Sequence, residues 1–235
     1  MTGPSRHHGF GVVLVMVLAS ASFQVAAPDS EWGQLVTVVL GAATLSVSAW
    51  AAQASHAFVR GAVAVTILLA LVSILVLVLQ GDVPGSAASL VNGLLVAIAP
   101  VVIGAGVLRD MRAEGGEVTI RTLSGVLAIY LLLGMLFSFF LGAAADFEGG
   151  AFFTHAPDPN RSDFLYFSYV TLSTVGYGDL SPLTDVGRML AVTEALIGQI
   201  YLVTVVALIV TNLRPRGGER RRQRPPPESR SEKPV

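Results

Sequence analysis

Six long apolar runs, separated by short polar stretches, set the plan of the chain. They cover residues 10–27, 34–52, 59–79, 87–108, 122–144 and 186–213, and each approaches the about twenty apolar residues that cross a bilayer as one helix. Between the last two lies a shorter run, 162–173, opened by Ser162 and Asp163. Ser162 suits an N-cap and Asp163 the positive end of a helix dipole, but the run is too short to span. The pattern predicts an all-α integral membrane protein of about six transmembrane helices, with a short helix and a loop before the last. The first run is the least regular. It carries Ser20, Ser22 and Gln24 and follows Arg6, His7 and His8, so it also fits a secretory signal cleaved near Ala21 or Ala27, which would leave five spans.

Basic residues in the loops assign the two sides. Loops holding Asp29 and Glu31, and then Asp82, contain no lysine or arginine and are expected outside. Those holding His56 with Arg60, and Arg109, Arg112 and Arg121, are expected inside, as is the tail from Arg214. Both termini are then cytoplasmic, in a plasma membrane, and 146–182 faces outward. The polar linker 109–121 divides an N-terminal four-helix membrane domain, 1–121, from a second domain, 122–213. The tail, 214–235, is rich in arginine and proline and too polar to bury a core, so disorder is expected. Its arginines either lie on anionic lipid headgroups or only complete the positive-inside bias.

Composition narrows the class. Of 235 residues 53% are hydrophobic and 13% charged, with mean hydropathy +0.67. A soluble chain this short cannot bury several helices that are apolar all round. There is no cysteine, hence no disulfide and no thiolate metal site. No nucleophile–base arrangement, phosphate-cradling loop or metal cluster stands out, and His56 and His155 stand alone, so neither an enzyme nor a resident cofactor nor a nucleic-acid partner is expected. The wealth of alanine, valine and arginine suggests a bacterium of high genomic GC.

The loop after the short run reads Thr174-Val175-Gly176-Tyr177-Gly178-Asp179. Glycines at alternate positions allow the backbone to alternate between mirror-related φ/ψ regions, which turns successive carbonyls to one side. A run of aligned carbonyls can replace the hydration shell of a small cation. In this setting TVGYGD, within TLSTVGYGDLSP, resembles the selectivity filter of the potassium-channel superfamily, over 122 to about 213. The resemblance implies four subunits in a homotetramer, with K+ bound by the carbonyls of Thr174, Val175, Gly176 and Tyr177 and the Thr174 hydroxyl. It also implies that Asp179 braces the filter through Tyr166. Aromatic side chains of the short helix would pack around the filter, and its C-terminus would point at the central cavity.

In the sixth run Gly198 stands where such channels often carry a hinge glycine, although close helix packing would explain it equally. The same alignment directs Gln199, Leu202 or Val203, and Val206 toward the cavity. Glu194 is an ionisable group within a span, and by default marks a functional site or a buried pair. Thr171 or Ser173 is its expected partner, in a brace behind the short helix. Steep voltage gating needs several arginines at every third position, each worth about 2.3 kcal/mol per 100 mV, and 87–108 has none. The leading expectation is therefore a potassium channel without a voltage sensor. A potassium-translocating transporter subunit would need several pore loops in one chain. A lipid- or quinone-binding membrane protein is the alternative from outside transport.

Overall fold

In the computed structural model the described residues are 9–26, 31–52, 61, 64, 85–113 and 119–212. They form six helices: α1 Gly9–Ala26, α2 Glu31–Ala51, α3 Gly85–Ala113, α4 Ile120–Glu148, α5 Arg161–Leu172 and α6 Asp185–Asn212. No strand occurs among the described residues, only an isolated antiparallel bridge between Phe153 and Pro182. Among the described residues, four segments are long and apolar enough to cross a membrane: Gly9–Ala26, Asn92–Arg112, Ile120–Glu148 and Asp185–Thr211; Val36–Ala51 is a shorter apolar helix. Apart from residues 61 and 64, the expected third span, 59–79, lies outside the described residues, as do the loop at Asp82 and the tail 214–235.

One core joins α1 to α4. Phe10, Val13 and Val17 of α1, Leu45 and Ala49 of α2, Ile103 of α3 and Leu132 of α4 are all buried in it. Small residues permit the close approach: a methyl group on Gly125 would come within 2.7 Å of Val107 Cγ2. Helices that share a lipid environment gain little from hydrophobicity alone, so such close contacts supply the association.

Thr119 caps α4, its side chain accepting from the Thr122 amide at 3.3 Å. The helix therefore starts at Ile120, and the expected boundary between 121 and 122 falls inside its first turn. Arg121 does more than supply a basic residue at the end of an apolar run. Its Nε lies 3.1 Å from Asp110 Oδ2 on α3, its Nη2 donates to Ala51 O on α2 at 3.1 Å, and its guanidinium stacks 5.1 Å above the Phe10 ring of α1. One side chain thus ties the base of α4 to three other helices. Arg121→Met should lower stability in detergent by about 1–3 kcal/mol, by stranding the Asp110 carboxylate; an unchanged melting temperature would show the clasp to be idle.

Candidate functional site

The short helix α5 is set by its ends. Asn160, and not the expected Ser162, is its N-cap: Asn160 Oδ1 accepts from the Asp163 amide at 3.1 Å, and Asp163 Oδ2 accepts from the Asn160 amide at 2.9 Å. Asn160 and the acid three residues on form a reciprocal capping box. Ser162, inside the first turn, donates to Asn160 Oδ1 instead. At the other end the chain folds under the helix. The amides of Val175 and Gly176 donate to Val170 O at 3.0 and 3.3 Å, and the Thr174 amide to Thr171 O at 3.0 Å.

From there the backbone alternates. Thr174, Gly176 and Gly178 have φ of 59°, 54° and 79°, whereas Val175 and Tyr177 have no positive φ. The two glycines adopt the conformation that their spacing suggests. Thr174 extends the alternation by one step and is the unexpected member, since a β-branched residue in this region is strained by about 1–3 kcal/mol. Alternation of this kind brings backbone carbonyls onto a common side. All of 173–179 is exposed, including Val175 at 52% and Tyr177 at 71%.

The outer end of the loop is held from two sides. The Tyr166 hydroxyl donates to Asp179 Oδ2 at 2.7 Å, and the Tyr166 and Tyr177 rings stack at 6.5 Å and 6°. His155, which stands alone in the sequence, places Nδ1 2.9 Å from Asp179 O. The Tyr166 hydrogen bond, with support from backbone amides, holds the Asp179 carboxyl below its ordinary range, and the same bond pushes the Tyr166 phenol up. A depressed carboxyl contributes stability above its unfolded pKa, about 4, and loses it as pH falls through the folded value. Tyr166→Phe should therefore raise the Asp179 midpoint, read by carboxyl carbon NMR, and move acid loss of the loop's order to higher pH. An unmoved midpoint would count against the bond.

The segment before α5 is fixed by aromatics that no periodic pattern singles out. Phe152 and Phe153 are buried with Phe164, Phe167, Leu141 and Ala144, and Phe153 lies 5.1 Å from the Phe167 ring. The Leu183 amide donates to Phe152 O at 2.9 Å and the Thr154 amide to Ser181 O at 3.1 Å, so the stretch after Asp179 is pinned to this cluster.

Behind α5, Ser168 Oγ lies within hydrogen-bonding distance of both Gly134 O on α4, at 2.6 Å, and Glu194 Oε1 on α6. Ser168 replaces the expected Thr171 or Ser173 as the partner of Glu194. Thr171 serves the loop through its carbonyl, and the Ser173 hydroxyl donates to Tyr169 O at 2.6 Å. The Tyr169 hydroxyl donates to Leu131 O at 2.9 Å. Gly198 is buried where α6 crosses the end of α5: a methyl group there would meet Leu172 O at 2.7 Å. The helix is continuous through it. Gln199, Val203 and Val206 are exposed on α6 and Leu202 is half-buried. No cluster of metal-binding side chains occurs among the described residues.

Residues 125–214 match the family model described as an ion channel. Among curated proteins, the chain is 43% identical over 77 residues to "Two pore potassium channel b" of Oryza sativa subsp. japonica, covering 33% of this chain and 20% of that one. It is 32% identical over 85 residues to human "Potassium voltage-gated channel subfamily A member 6", covering 34% and 16%. It is 42% identical over 72 residues to "Protein LctB" of Bacillus caldotenax, covering 27% and 52%. The chain thus spans a fifth or less of the first two relatives and about half of the third. The family match, 125–214, takes in most of α4, all of α5 and α6, and the alternating loop between them.

Proposed function

We propose that the chain is one subunit of a potassium-selective channel that passes K+ down its gradient and is not strongly voltage-gated. The observation that carries this reading is the alternation of left-handed φ at Thr174, Gly176 and Gly178, directly after a short capped helix and between two apolar helices. Its consequence is a column of carbonyls from Thr174, Val175, Gly176 and Tyr177, with Asp179, Tyr166, Thr171 and Glu194 as its support. Gln199, Leu202 and Val206 would line the cavity below.

One chain supplies one side of a cage, and four chains complete it. Supporting a homotetramer, α6 leaves only 11% of its span buried within the chain. It exposes Met189, Leu196, Val203 and Val210, seven residues apart. An open groove of about 670 Å³ beside Val175 and Tyr177 is a further surface left uncovered. Irregular backbone at membrane depth is tolerated only where protein or a water-filled cavity surrounds it. The reading includes six spans, a bacterial plasma membrane, cytoplasmic termini, domains 1–121 and 122–213, and a basic tail at the lipid surface.

The test is flux from liposomes loaded with K+ or Na+, at several voltages. K+-selective and nearly voltage-independent flux is expected. Equal passage of both ions, or of neither, from an assembled tetramer would end this reading.

A further inference from the structure

Glu194 sits at the meeting point of α4, α5 and α6 and is completely buried. Its Oε1 contacts Ser168 Oγ, and Ser168 Oγ is also 2.6 Å from Gly134 O. A serine hydroxyl carries one proton and two lone pairs. A backbone carbonyl can only accept, so the contact with Gly134 takes the serine proton. The contact between Ser168 Oγ and Glu194 Oε1 then needs a second proton, and the carboxyl is its source. Two further observations agree. Glu194 Oε2 has no hydrogen-bond partner, which a buried carboxylate could not sustain without a cost of several kcal/mol. Among the described residues no lysine, arginine or histidine pairs with it. The ionisable groups within electrostatic reach of it are the phenols of Tyr130 on α4 and Tyr169 on α5, with Tyr201 of α6 stacked on Tyr130 at 5.9 Å. None supplies a positive charge.

We propose that Glu194 is a neutral carboxylic acid that donates its proton to Ser168 Oγ, and that this proton holds α5, and with it the carbonyl column, in register between α4 and α6. Glu194 is thus a positioning residue for conduction, resting on the potassium-channel reading above. When the proton leaves for solvent at high pH, Ser168 must choose between the carboxylate and Gly134 O. Either the tie to α4 breaks or two acceptor oxygens face each other. The α5 helix loses its fixed height, and the loop that follows Leu172 moves with it.

The test compares the full-length wild type with Glu194→Gln in liposomes across the alkaline range. The Gln amide can donate to Ser168 Oγ, so the variant should conduct as the wild type does at neutral pH. Wild-type flux should fall at least about tenfold per pH unit once past the midpoint, the slope of one proton per pore, and more steeply where all four subunits must keep theirs, whereas the Gln variant should stay flat. The infrared carbonyl band of a protonated acid should be present in the wild type at neutral pH and vanish with the same midpoint as flux. An alkaline fall retained by an assembled Gln variant would overturn the proposal, as would the absence of that band. Should the variant not assemble, the band followed in the wild type with carbon-13-labelled glutamate decides alone. A wild type that carries the band but never conducts would leave the proton assignment standing and overturn the channel reading with the positioning role.

Discussion

In the proposed tetrameric channel, Gly176→Ala should abolish potassium flux while leaving the subunits assembled. A methyl group at this position meets nothing within 4 Å, so crowding within the subunit is not the cause. The cause lies in the backbone: with φ at 54°, an L-residue with a Cβ is strained by about 1–2 kcal/mol. The proposed ring of four chains would repeat that strain four times. The chain relieves it by rotating toward negative φ, and the peptide carbonyl then turns off the common side. A carbonyl column with one ring missing no longer replaces the hydration of K+. A hundredfold loss corresponds to about 2.8 kcal/mol, less than four such strains together, so flux should fall at least about a hundredfold. Gly178→Ala, at φ 79°, should act in the same direction. An assembled Gly176→Ala tetramer with unchanged K+ over Na+ selectivity would show that this loop does not carry the ions.

The parts of this arrangement that were legible are those encoded locally. Long apolar runs gave α1, α2, α3, α4 and α6 because hydropathy is a property of the run itself, and alternate glycines gave the left-handed positions 176 and 178. The bond from Tyr166 to Asp179 was reachable only through the family resemblance. What was missed depends on partners distant in sequence. Thr174 carries no glycine signal, and its left-handed φ is imposed by amides folding under Val170. The N-cap went to Ser162 because serine and asparagine are comparable caps, and only the reciprocal bond with Asp163 distinguishes them. Ser168, not Thr171 or Ser173, meets Glu194 because the rotation of α5 about its axis decides which side faces α6. That rotation is fixed by Tyr169 against Leu131 and by the Phe152–Phe153 cluster, neither of which leaves a periodic trace. Arg121 shows the same limit: a basic residue at a span end satisfies topology, and its three contacts become visible only once the helices are packed.

Two accounts of Gly198 that the sequence left equal predict opposite changes in stability. If it is a hinge in an otherwise free stretch of helix, Gly198→Ala adds helix propensity and should stabilise the protein by about 0.5–1 kcal/mol while making opening of the proposed pore harder. If it is the contact between α6 and the end of α5, the added methyl must enter a space where Leu172 O stands 2.7 Å and Leu172 Cδ1 2.8 Å away. The leucine side chain can turn aside, but the carbonyl belongs to the last turn of α5 and moves only with the helix. Overpacking of this kind costs about 1–3 kcal/mol, so the sign of the stability change reverses. We expect Gly198→Ala to melt at lower temperature than the wild type and to lose K+ over Na+ selectivity, because displacement of Leu172 is passed directly to Thr174. Gly198→Leu should prevent assembly. A stabilised Gly198→Ala tetramer with intact selectivity would instead establish the hinge and would put the rigidity of the α5–α6 contact in Glu194 and Ser168 alone.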